Sequence, residues 1–175
     1  MARGQQKRER EAAARAEYER RRQLAVSACP LTHAQLLELS ASLARAIDTN
    51  GHDDSFSLVE AWCRQVPIEG QQVIDFFKDQ GLTCDWDVAI SGLAAKLFGP
   101  LGSNFGAVPL SRDELEQLVE FVDERLQAQG CAHDQALVRE WCRENDHEEA
   151  LVIFGLATFG GFCDCEVVLN VELNE

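Results

Sequence analysis

Four side chains in the C-terminal part of the chain have the types and spacing of a metal-ligand set. Cys131 and His133 stand in Cys-Ala-His, and Cys163 and Cys165 stand in Cys-Asp-Cys. Three thiolates and an imidazole are the number and kind of donors that a tetrahedral Zn2+ site takes. Residues i and i+2 share a side of an extended chain but lie on opposite sides of a helix. Each pair follows glycine that would end a helix, Gly130 in one case and Gly160-Gly161 in the other, so both pairs are expected to be extended. Asp164 and Glu166 would then face away from the ligands, and Asp134 would cap the next helix or orient His133. The same residues leave other chemistry open: a redox pair of Cys163 and Cys165, structural thiols without metal, or a catalytic Cys163 with His133 as its base. No oxyanion signature accompanies the last, and four protein ligands would close a zinc ion to substrate. A binding role is therefore favoured over an enzymatic one, and no residue is assigned as catalytic.

The elements that must position these residues recur along the chain. Shifting the sequence by 79 positions aligns Leu31–Val88 with Leu110–Val167 without a gap and with sixteen identities. Trp62-Cys63-Arg64 falls on Trp141-Cys142-Arg143, Gly51 on Gly130, and Cys84-Asp85 on Cys163-Asp164. A mainly α fold is expected, built of two tandem three-helix units, each ending in a short extended, strand-like tail such as 166–171. Leu36, Leu39, Leu43 and Ile47 keep a helical rhythm in the first unit, as do Leu115, Leu118, Val122 and Leu126 in the second. The units span 31–92 and 110–175, and the glycine-rich stretch 93–109 reads as a linker. In the first unit the candidate site is eroded: His52, Asp54 and Trp86 replace Cys131, His133 and Cys165, and only Cys84 remains. Whether His52, Asp54 and Cys84 retain a site is left open by the sequence. Cys63 and Cys142 read as core thiols, and His33 and His147 as solvated surface.

Charge divides the chain again. Residues 1–23 carry eight basic side chains against four glutamates, a net +4, which leaves −18 on the other 152 residues. Ala, Glu and Arg favour a helix, supported by a Glu11–Arg15 pair, but an apolar stripe is missing. A mobile, solvated helical arm is expected. Its clusters Lys7, Arg8, Arg10 and Arg20, Arg21, Arg22 suit RNA or another polyanion as partner, an alternative function for the protein. No window has the apolar length of a membrane span, and the charged N-terminus lacks the apolar core of a secretory signal. A cytoplasmic protein with reduced cysteines follows as the expectation.

The stretch 130–172 resembles the bacterial DUF2695 family. Cys131, His133, Trp141, Gly160, Gly161, Cys163, Asp164, Cys165, Glu166, Asn170 and Val171 fit its pattern, and Cys-Asp-Cys-Glu-Val is the specific part. Ala132 and Asp134 depart from it. The resemblance implies that the Cys/His constellation is one unit, and it brings no activity, substrate or partner. The sequence thus points to a small protein with a structural Zn2+ site of the C-x-H…C-x-C type, serving as a module that binds an unidentified protein. Thiol-redox or metal-dependent catalysis through Cys163 and Cys165 is the alternative.

Overall fold

The computed structural model describes residues 2–99 and 108–171, apart from the side chains of 2–6, 9 and 11. Within them the chain forms ten helices and no strand. They are α1 (Ala2–Ala28), α2 (His33–Asn50), α3 (Ser57–Cys63), α4 (Gly70–Asp79), α5 (Asp85–Ile90), α6 (Leu93–Phe98), α7 (Arg112–Gln129), α8 (Ala136–Glu144), α9 (Glu149–Ala157) and α10 (Asp164–Asn170).

Local chemistry sets the ends of the long helices. Thr32 and Ser111 open α2 and α7 with capping boxes, completed by Gln35 and Glu114. Gly51 and Gly130 close them at φ 75° and 76° with ψ near 180°. That is not the left-handed helical cap common at helix-ending glycines but a more extended conformation open essentially to glycine alone.

Leu36, Leu39, Leu43 and Ile47 line the inner face of α2, and Leu115, Leu118 and Val122 that of α7. In α9 the residues from Val152 to Ala157 are all buried. A helix apolar on every side belongs inside a protein, and α9 packs on α2, α5 and α8. Trp86 of α5 meets Phe154 of α9 edge-on at 5.3 Å between ring centroids. One apolar core therefore runs through both halves of the chain.

Two expectations are corrected. The tail 166–171 is not strand-like, because Glu166–Asn170 belong to α10. Asp164 and Glu166 fill the first turn of that helix, where acids suit the dipole, and burial of Val167 overrides the preference of β-branched residues for strands. The start of the expected linker is helix α6, which buries Leu93, Ala94 and Leu97. The glycines that suggested a linker come after it, and 100–107 lie outside the described residues.

Within the basic segment, residues 2–23 are helical, and the helix runs on to Ala28. Ala25 and Val26 pack on the core. Arg22 Nε donates to Leu97 O at 2.9 Å, and Arg22 also reaches Gly99 O, so it caps the carbonyl end of α6. Arg20 and Arg21 pair with Glu17, which holds that carboxyl down at about 2, with Arg20 the larger cause. Arg15 pairs with Glu19, while the Glu11 side chain expected to meet it lies outside the described residues.

Candidate metal centre

Cys131 follows Gly130 directly, in the loop between α7 and α8. His133 in that loop has φ 60°, a left-handed conformation rare for a residue with a side chain. The turn after α9 needs both of its glycines, for different reasons. Gly160 has φ 82°. At Gly161 a Cβ would come within 2.9 Å of Val167 Cγ2 and 3.3 Å of Leu156 O, so a side chain there would push α10 aside. Cys163 then caps α10 in an extended conformation, φ −142° and ψ 167°. Cys165 is already in the first turn of that helix, so only one residue of this pair is extended.

These elements bring the four expected ligands together. The ligand atoms of Cys131, His133, Cys163 and Cys165 all lie within 4.8 Å of one another. Zn–S and Zn–N bonds of about 2.3 and 2.0 Å place tetrahedral ligands roughly 3.5–3.8 Å apart. The cluster is thus the size of one four-coordinate ion, and its donors have the number and type to hold a metal. Cys163 Sγ and Cys165 Sγ are 3.2 Å apart as free thiols. Cys163 is buried, Cys131 and Cys165 are half-buried, and His133 is exposed. The His133 amide donates to Cys131 Sγ at 3.3 Å. That amide is the chief reason the Cys131 thiol sits below its ordinary value, followed by the Cys165 amide. Cys165 is pushed up to about 12, first by its hydrogen bond with Cys163 and then by that with Cys131. Without metal, Cys131 thus ionises more readily than Cys165, which keeps its proton.

Asp134 acts twice. Its carboxylate accepts from Ala136 N at 3.2 Å at the start of α8, and its carbonyl accepts from Asp164 N at 2.7 Å. Asp164 faces away from the ligands, as expected, and Glu166 accepts from Phe162 N at 3.1 Å. Sequence reasoning missed what Asp164 faces. Its buried carboxylate accepts from Leu137 N at 3.1 Å and Val138 N at 3.2 Å, capping α8 from 27 residues away. The signal available was the shared Cys-Asp of 84–85 and 163–164.

In the first half, His52 stacks on Trp86 with ring centroids 4.9 Å apart. Cys84 caps α5 and is buried, and Asp54 is exposed. His52, Asp54 and Cys84 are not gathered into a ligand cluster; among the described residues only the Cys131 group is. Cys63 and Cys142 are core thiols, and burial lifts Cys142 to about 11. Of the two histidines expected at the surface, only His147 departs, because Trp141 offers it an apolar ring. His33 is exposed but lies against Phe98 at 5.1 Å, and His147 is half-buried, stacked on Trp141 at 5.2 Å.

Residues 118–170 match DUF2695, a family described as protein of unknown function. All four candidate ligand positions fall inside that matched stretch. Uncharacterized proteins of Mycobacterium tuberculosis and Mycobacterium bovis are 44% identical to this chain over 63 residues, 36% of its length. The chain spans 64% of the length of these relatives. No solved structure matches it significantly.

Proposed function

We propose that residues 110–175 form a Zn2+-binding module in which Cys131, His133, Cys163 and Cys165 are the four ligands, and that the protein serves as a binding module rather than an enzyme. The observation that carries this reading is the convergence of three thiols and one imidazole within 4.8 Å. Bound there, the ion would tie the loop after α7 to the first turn of α10, and four protein ligands would leave it no open position for substrate.

In the same reading, 31–92 and 110–175 are tandem copies of one unit, and the first has exchanged its ligands for the stacked pair His52 and Trp86. The matched capping boxes, glycine ends and buried aspartates support it. Reduced cysteines throughout, and no helix among the described residues long and apolar enough to cross a membrane, fit the proposed cytoplasmic location.

The test is elemental analysis of the reduced, tag-free protein. About one equivalent of zinc is expected, lost in Cys163→Ser. A wild-type protein that takes up no metal would overturn the reading. The 3.2 Å contact of Cys163 and Cys165 favours thiol redox as the second reading, which a reversible disulfide of measurable potential in metal-free protein would support.

A further inference from the structure

The two ligand-bearing loops are stitched together by hydrogen bonds of the protein itself. Gln135 Nε2 donates to Gly161 O at 2.7 Å, Asp164 N donates to Asp134 O at 2.7 Å, and the Asp164 carboxylate takes the Leu137 and Val138 amides. Asp164 is only 2% exposed, and it stands between Cys163 and Cys165. A buried carboxylate is costly unless it is hydrogen-bonded, and the first turn of α8 supplies both the donors and the positive end of a helix dipole. Gln135, the residue before α8, gives that helix no side-chain cap; Asp134 takes the Ala136 amide, and Asp164 takes the next two.

Asp85 provides a control inside the same molecule. Its carboxylate accepts from Leu58 N at 2.8 Å and Val59 N at 3.0 Å, and its amide donates to Ser55 O at 2.8 Å. No ligand cluster stands beside it. The clamp therefore forms where there is no ligand set to organise, and at Asp164 it is flanked on both sides by ligands.

We propose that Asp164 is a positioning residue of the metal site: it fixes the direction of Cys163 and Cys165 against the Cys131–His133 loop, so that the ion enters a preformed site instead of folding one. This inference rests on the metal-binding reading above. Groups that orient ligands without touching the ion typically contribute 10–100-fold in metal affinity.

The experiment uses the full chain, Zn2+ in competition with a chromophoric chelator, and the visible absorption of Co2+ as a probe of tetrahedral geometry. A wild-type protein that binds neither ion removes the metal-binding reading itself. Given wild-type binding, Asp164→Asn is expected to weaken Zn2+ roughly 10–100-fold and shift the Co2+ band, while Asp85→Asn leaves both unaltered. A merely structural role would not separate these two variants. Unchanged affinity in Asp164→Asn, or equal losses in both, overturns the proposal. Gln135→Ala removes one loop staple and keeps the proposal testable if Asp164→Asn fails to fold; weaker binding with an intact helical circular dichroism signal supports it, and unaltered binding overturns it. Chelator-stripped wild type is expected to keep its full helical signal, and loss of that signal overturns the preformed site.

Discussion

His52 lies flat against Trp86, ring centroids 4.9 Å apart and planes 21° from parallel, in the two places that Cys131 and Cys165 occupy 79 residues later. A stacked ring pair fastens the loop after α2 to the start of α5 through dispersion and apolar burial. In the second half, thiols occupy the same junction. Trp86→Ala should therefore loosen the first half, and also remove the edge contact with Phe154. A loss of about 2–4 kcal/mol in urea unfolding is expected, below the roughly 3–5 kcal/mol of a core aromatic truncation because Trp86 is half-buried. A loss within about 0.5 kcal/mol would show that the stack holds nothing.

Metal uptake should depend steeply on pH. Zinc binds thiolates, so protons on the cysteines must leave. Cys165, pushed up to about 12 by its hydrogen bonds with Cys163 and Cys131, retains its proton at neutral pH in the free protein. Apparent Zn2+ affinity should fall by more than tenfold for each unit of acidification below neutral, because more than one proton is displaced per ion. Competition titrations across that range would show it; a pH-independent affinity would exclude thiolate ligation.

Asp85 gives a stability signature with a definite sign. Burial is the largest influence on its carboxyl and lifts it above the ordinary 3.8, against the opposing pull of the Leu58 and Val59 amides. A group raised on folding contributes stability that is complete below its unfolded value and fades as pH climbs through its folded value. Asp85→Asn lacks that loss. The stability gap between wild type and Asp85→Asn should accordingly narrow as pH rises from about 3.5 toward neutral, as followed by denaturant titration at each pH. A gap that widens over this window would reverse the assignment.

Gly161→Ala should be far more harmful than its size suggests. The new methyl would meet Val167 Cγ2 at 2.9 Å and the Leu156 carbonyl at 3.3 Å. Overpacking of this kind costs about 1–3 kcal/mol. At Gly130 a Cβ meets nothing within 4 Å, so Gly130→Ala would be penalised only through its φ of 76°. Thermal unfolding of both variants, alongside Zn2+ titration, separates the two causes: only Gly161→Ala should also displace α10 and its proposed ligand Cys165.

Much of this was written in one-dimensional pattern. Leu36, Leu39, Leu43 and Ile47 announced α2 through their period, and Cys131, His133, Cys163 and Cys165 announced their cluster through ligand chemistry and the glycines before them. The stretch after Cys165 misled because Val167, Val168 and Val171 carry a strand's composition, while acids in the first turn and burial of Val167 decide for helix. Leu93, Ala94 and Leu97 were overshadowed by the glycines downstream. Asp164 was legible as a repeated letter but not as a cap, since its donors sit 26 and 27 residues earlier and no local spacing reveals them. The ring partners of His33 and His147 were hidden for related reasons.

The wholly apolar α9 has a practical consequence for anyone cutting this chain. Its Phe154 rests on Trp86, and Leu151, Phe154 and Gly155 border a small cavity of about 170 Å³ shared with α2 and α6. A fragment of 110–175 alone would turn that flank to water, and exposed apolar surface of this kind seeks a replacement neighbour. The segment that carries the proposed ligands is thus a dependent of the half that lacks them, and its chemistry should be assayed with that half attached.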